Sequence, residues 1–186
     1  YGGDATSLSS KFEIENYSIY GNLNSQIIRS IELNLNVRFE KYSLSYLGNA
    51  QNSYNDYYYL DINLPQVDTV KSDEFLGLNF ALKYKVNNDL ILYTSFSKGY
   101  KAGGVNQHPY LNIQSRFYQP EYNLNYESGG KLSMNEIEIN FALFTMKRTD
   151  LQVQVSSQQV EGDPNSFIYY TSNASSGYNS GFELET

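Results

Sequence analysis

The 186 residues include 19 Tyr and 10 Phe but no Trp and no Cys, and 20 acidic against 13 basic side chains give a net charge of −7. The lack of cysteine excludes thiolate metal sites and thiol nucleophiles, and the acidic balance argues against nucleic-acid binding, which needs a basic footprint. Mean hydropathy is −0.51 and no run approaches about 18 apolar residues, so a transmembrane helix is excluded. A membrane is not excluded, because a barrel strand turns only alternate residues to lipid.

In chain order, seven segments alternate with period two, the mark of strands with one apolar and one polar face. Residues 17–26 open the series. The clearest segment is 31–46: from Ile31 to Glu40 every odd position is apolar and every even position polar. That run matches the roughly 9–11 residues of a tilted strand through hydrocarbon. Past Lys41 the phase flips to Tyr42, Leu44 and Tyr46; a β-bulge or emergence above the lipid would explain this. Segment 74–87 carries Leu76, Leu78, Phe80, Leu82, Tyr84 and Val86 on one face. Segment 89–98 follows Asn87-Asn88-Asp89, a tight-turn sequence, since Asn and Asp tolerate left-handed backbone angles. Segment 122–133 sets Tyr122, Leu124 and Tyr126 against Asn123, Asn125 and Glu127. Segment 136–156 sets Ile137, Ile139, Phe141 and Leu143 against Glu138, Asn140 and Ala142, then Leu151, Val153 and Val155 against Gln152 and Gln154. Segment 168–185 ends with Phe182 and Leu184 against Glu183 and Glu185.

The connections alternate in length. Short polar turns fall near 26–30, 87–89 and 133–136; long connections run over 47–73, 99–121 and 156–167. This asymmetry describes an outer-membrane barrel, whereas a soluble sandwich turns every 8–12 residues or about that. The expected fold is all-β: a fragment of a transmembrane antiparallel β-barrel, about seven strands with short periplasmic turns and long extracellular loops. An odd strand count, a start at Tyr1 with no signal peptide and a stop inside a strand-like segment lead to the expectation of a piece of a longer chain. Tyr57, Tyr58, Tyr59, Tyr93, Tyr100, Tyr118, Tyr169 and Tyr170 stand near strand borders, where an amphipathic ring suits the headgroup level; ordinary packing accounts for part of that set.

Little in the chain suggests chemistry. His108 has no second His or Cys to share a metal or haem and reads as a solvated loop residue. Glu136/Glu138 and Glu183/Glu185, spaced by two, lie on the polar strand face and read as lumen-facing groups rather than an acid–base pair. Lys98–Gly104 is glycine-rich but lacks phosphate-loop spacing. Asn173-Ala174-Ser175 is a glycosylation sequon on paper only. No catalytic residue, metal site or cofactor is expected. Tyr110, Arg116 and Tyr118 are the candidate ligand contacts, because a long loop carrying aromatic and basic groups suits an anionic or chelated-iron ligand.

Five ordered motifs then carry a family resemblance. Leu92-Tyr93-Thr94-Ser95-Phe96-Ser97-Lys98-Gly99-Tyr100-Lys101-Ala102-Gly103-Gly104-Val105-Asn106 resembles the strand-to-loop opening of TonB-dependent receptor barrels. Tyr118-Gln119-Pro120-Glu121 resembles the motif that closes that loop. Asn125–Lys131, Asn140–Phe144 with Lys147–Gln154, and Asn173-Ala174 with Ser180–Glu185 are similar to the strands that follow. Ser128 and Gly130 depart from the pattern, standing where the family has apolar, lipid-facing residues.

The resemblance implies a receptor that takes up a scarce substrate, such as a ferric siderophore, cobalamin or glycan, across a plugged barrel of about 22 strands. Residues 1–186 would be a partial barrel domain, about a third of the whole, with no plug, signal peptide or C-terminal closing strand. The implied partners are outer-membrane lipid, a small-molecule or metal-chelate substrate, and TonB through an N-terminal part. Alternation alone leaves open a passive porin-type channel and a non-transport extracellular β-rich protein; an upstream plug would decide against the first, and folding in water without detergent would favour the second.

Overall fold

The computed structural model describes residues 5–53, 66–108, 111–158, 161–162, 164 and 167–186. Seven long strands form one antiparallel sheet: β1 (Ala5–Ile28), β2 (Ile31–Ser53), β3 (Val67–Lys85), β4 (Leu90–Lys101), β7 (Glu121–Met134), β8 (Ile137–Gln158) and β9 (Phe167–Glu185). Every long strand pairs with its neighbours along the chain. The connection between β4 and β7 carries β5 (Gly104–Val105), a one-turn helix α1 (Ile113–Arg116) and β6 (Phe117–Tyr118), with β5 pairing to β6.

The short connections share one end of the sheet and the long ones the other, as the sequence predicts. Local chemistry closes the turns. Asn87 Oδ1 accepts from the backbone N–H of Asp89 at 2.8 Å and of Leu90 at 2.7 Å. Asn135 takes a positive φ of 52°, which a short polar side chain tolerates.

The strands overrun their predicted ends. Residues 47–53 and 67–73, read from the sequence as loop, are strand, and β2 and β3 pair without interruption from Ile31↔Tyr84 to Gly48↔Val67. The same continuity runs between β1 and β2 from Ser53 to Glu32. No bulge lies at Lys41, so the phase flip is a change in what an unbroken strand faces. Below it, the odd-numbered Leu33, Leu35, Val37 and Phe39 form the outer apolar face. Above it, the even-numbered Tyr42, Leu44 and Tyr46 are buried on the inner face with Val67, Phe75 and Val105. Beyond residue 41 the outer face of β2 carries Ser43 and Ser45, so the alternation that marks a lipid-facing strand is lost there.

The outer face shows where lipid ends. Leu35, Phe80, Phe96 and Tyr126 form one cross-strand row, and the rings of Phe96 and Tyr126 lie 4.8 Å apart. On the same face, toward the long loops, come Lys41 on β2, Lys98 on β4 and Lys147 on β8, the latter two flanking Leu124. Lysines there keep their stems against apolar surface and their ammonium groups among headgroups. Phe182 and Leu143 are 76% and 63% exposed, an exposure of large apolar side chains that a lipid contact accounts for. The tyrosine girdle is thinner than the sequence implies. Tyr93, Tyr100 and Tyr118 pack inside, Tyr169 is exposed, and Tyr57, Tyr58 and Tyr59 lie outside the described residues.

Gly129 and Gly130 are covered from opposite faces. A Cβ on Gly130 would meet Phe141 Cζ at 2.7 Å and Leu92 Cδ2 at 2.8 Å. A Cβ on Gly129 would meet the Tyr93 ring, whose hydroxyl donates to Glu127 Oε1 at 2.7 Å. Aromatic rings laid over strand glycines fix the register of the pair. The register is therefore as the motif implies, and the lipid face is not thin at Gly130, because Phe141 and Leu92 fill it. Ser128 is exposed, opposite Thr94 and Leu143. Gly130→Val should therefore destabilise the intact receptor by roughly 1–3 kcal/mol through overpacking, while Ser128→Val should be neutral or stabilising. The urea midpoint of the barrel in detergent checks both; equal behaviour of the two variants would contradict the register.

Candidate ligand-facing site at the long-loop end

Two buried carboxylates organise the long-loop end. Glu40 accepts from Asn16 Nδ2 at 2.9 Å, Arg38 Nε at 2.9 Å and the Tyr100 hydroxyl at 2.8 Å, joining β1, β2 and β4. β3 and β4 stop pairing after Leu78↔Lys98, and Tyr100 stacks on Phe75 with centroids 4.5 Å apart. Glu121 receives Arg148 Nε at 2.8 Å and Arg148 Nη2, and its other oxygen receives the Gln152 backbone N–H at 2.8 Å. Burial pushes the Glu121 carboxyl up, but the Gln152 amide and the Arg148 guanidinium outweigh it and hold the acid below its ordinary range.

Residues 102–108 and 111–120 fold onto the inner face between these two centres. On one side Val105 joins the apolar core of β2 and β3, with Ala102 and Phe117 packed against it. On the other side three amide side chains clamp it. Asn106 donates to the Thr171 carbonyl at 2.8 Å and accepts from the Thr171 N–H at 2.9 Å. Asn173 treats Gln119 the same way, accepting from its N–H at 2.7 Å and donating to its carbonyl at 3.0 Å. Gln152 Nε2 reaches the carbonyls of Ala102 at 2.8 Å and Gln119 at 3.1 Å. Each Asn amide thus stands in for one residue of a β-ladder, so the segment is docked without a continuous strand.

Arg116 ends α1, whose N-cap Asn112 accepts from the Ser115 N–H at 2.8 Å. The sequence suggested a displayed guanidinium, but Arg116 is 4% exposed and its Nε donates to the Leu111 carbonyl at 3.2 Å. Its side chain is turned back across the one-turn helix to the carbonyl of Leu111. Tyr118 is half-buried, with its ring over Gly104, and burial pushes its phenol up. Tyr110 lies outside the described residues. His108 is half-buried; burial, then the Arg116 charge, lowers its pKa. The residues that shape this site are largely ones the sequence reading left without a role: Glu40, Asn106, Gln152 and Asn173, the last noted only as a paper sequon. Glu121 and Asn106 were within reach, since each ends one of the motifs that bound the loop. Among the described residues no group of His, Asp and Glu could hold a metal ion.

Fold and site together define a stretch of membrane-barrel wall whose β4–β7 connection is folded inward. The chain belongs to the TonB dependent receptor-like β-barrel family, whose sequence profile matches residues 1–186. The fold is similar to the ferric yersiniabactin uptake receptor FyuA of Yersinia pestis, at 22% identity and a TM-score of 0.69 over 96% of this chain and 25% of that one. It is also similar to the hemophore receptor HasR of Serratia marcescens, solved with its hemophore HasA and heme, at 14% identity and a TM-score of 0.66 over 92% of this chain and 31% of that one. The ferric-catecholate import receptor Fiu of E. coli K12 matches at 16% identity and a TM-score of 0.61, over 94% and 25% of the two chains. This chain thus spans about a quarter to a third of the receptors it matches. No curated protein matches the sequence. The family is one of receptors and transporters rather than enzymes.

The clamps carry a direct expectation. A lost hydrogen bond of this kind costs about 0.5–1.5 kcal/mol, and more where a partner is left buried. Asn173→Ala removes both bonds to Gln119, so limited proteolysis should cut within 102–120 roughly tenfold faster, with the barrel still folded. An unchanged cleavage rate would show that the apolar side alone holds the loop.

Proposed function

We propose that residues 1–186 form part of the barrel wall of a Gram-negative outer-membrane receptor that takes up a scarce substrate with energy delivered through TonB. Ferric siderophores are the leading substrate class, with cobalamin and glycans behind them. The solved receptors of similar fold support this at the level of class: their titles name ferric yersiniabactin, ferric catecholate and heme. Lipid is the partner of the outer face. On this reading the plug and the TonB-contacting segment belong to the parent receptor, and segment 102–120 contributes to its outer binding surface with Tyr110, Arg116 and Tyr118 as contact candidates.

The observation that carries the reading is the docking of segment 102–120. A connection serving only to join β4 to β7 has no need of an apolar anchor on β2 and β3 and amide clamps on β8 and β9. Held at both margins, it presents a fixed surface at the outer mouth, and preorganisation of that kind raises affinity by removing ordering costs. Tyr118 reaches this surface at its rim, and Arg116 shapes it from within.

Deleting residues 105–117 from the full receptor tests this, with uptake followed for labelled ferric siderophores and cobalamin. Uptake of the transported probe should fall about tenfold or more, the loss of at least ~1.4 kcal/mol of binding. Unchanged affinity and uptake would remove the loop from the binding surface.

A further inference from the structure

The core beside Phe117 holds a basic group that no other residue satisfies among the described residues. Lys71 lies on β3 opposite Leu44, on the face that carries Phe75 and Val67. Its Nζ is buried and has no hydrogen-bond partner among the described residues. It sits over the ring of Phe117, 5.6 Å from the centroid. The ring face answers part of the charge but none of the three N–H donors of an ammonium group. The two carboxylates buried nearby are already engaged, Glu40 by Arg38 and Glu121 by Arg148. Asp73, two residues along the same strand face, makes no ion pair with Lys71 among the described residues.

A buried amine whose N–H donors meet no acceptor is a desolvation cost to the fold, and a methionine would fill the same space without it. What the position lacks is an acceptor oxygen, and a negative one answers both the charge and the donors. We propose that Lys71 is the anchor for an anionic oxygen group, a carboxylate or phosphate, of a ligand that enters beneath segment 102–120. The proposal rests on the reading of that segment as an outer binding surface and adds the ligand's chemistry to it. Phe117 covers the amine on one side, and burial strengthens an ion pair formed there. Entry requires Phe117 to move, and the amide bonds that Thr171 and Gln119 make beside it are exchangeable.

Protection of Lys71 from a neutral amine reagent tests this. The purified full receptor is acetylated with N-hydroxysuccinimidyl acetate, with and without excess inorganic phosphate, and the labelled lysines are mapped. Phosphate should slow acetylation of Lys71 at least tenfold, and Asn173→Ala should raise the rate measured without phosphate. The exposed Lys11 should show no such protection. Equal labelling of Lys71 with and without phosphate, or none even in Asn173→Ala, would overturn the anchor. Lys71→Met should melt at or above the parent temperature; a clear drop would mean that the fold itself satisfies the amine, which also contradicts the proposal. If the deletion of 105–117 abolishes uptake while phosphate does not protect Lys71, the anchor fails and the binding surface stands; the opposite pair of results leaves the anchor and removes the surface.

Discussion

A strand in hydrocarbon can send its backbone N–H and C=O groups only to a neighbouring strand, because no water is present to receive them. The unbroken registers between adjacent strands follow from this, including the run of β2 against β3 from Ile31 to Gly48. Once backbone pairing is obligatory, side chains must divide by parity: odd positions of β2 meet lipid and even positions meet the interior. The lysines at 41, 98 and 147 mark where the lipid requirement ends. Beyond them the same parity serves a different purpose. The inner face becomes an apolar core, and the outer face meets water.

That change of purpose explains what could and could not be read in the sequence. The lipid-crossing stretches were legible because one solvent dictates one face, as at 31–40, 74–87 and 136–143. The extracellular extensions were not, because β1 before residue 17 and β2 after residue 46 hold their place by ladder bonds and by a core drawn from several strands. The flip at Lys41 was visible, but alternation alone does not separate a bulge from a change of surroundings. The two small residues at 128 and 130 looked alike, yet one is exposed and the other lies under Phe141, and only cross-strand pairing tells them apart. Alternation also could not separate a porin from a receptor; the ordered motifs after residue 90 did that, and the family match agrees.

The site was harder to read than the fold. The loop was correctly located by its length and its bounding motifs, but its interior was not. Arg116 points into the loop, with its Nε on the Leu111 carbonyl. Asn106, Asn173 and Gln152 looked like ordinary solvated amides, and their role appears only when β9 is folded beside the loop. Lys71 sat in a segment read as loop, so its burial could not be anticipated. The long-loop end thus combines a rigid wall, a docked loop and a buried amine, and the sequence signals for these three lie far apart in the chain.

The central claim is that β2 passes from lipid to water at residue 41 without changing its parity. Single cysteines from 33 to 47 in the full receptor, each carrying a fluorophore and challenged with lipid-borne and water-borne quenchers, test it most directly. The account predicts lipid quenching at 33, 35, 37 and 39, water quenching at 43, 45 and 47, and protection from both at 42, 44 and 46. Lipid quenching at 42, 44 and 46 would mean a bulge at Lys41 that turns the strand over, and would contradict the account.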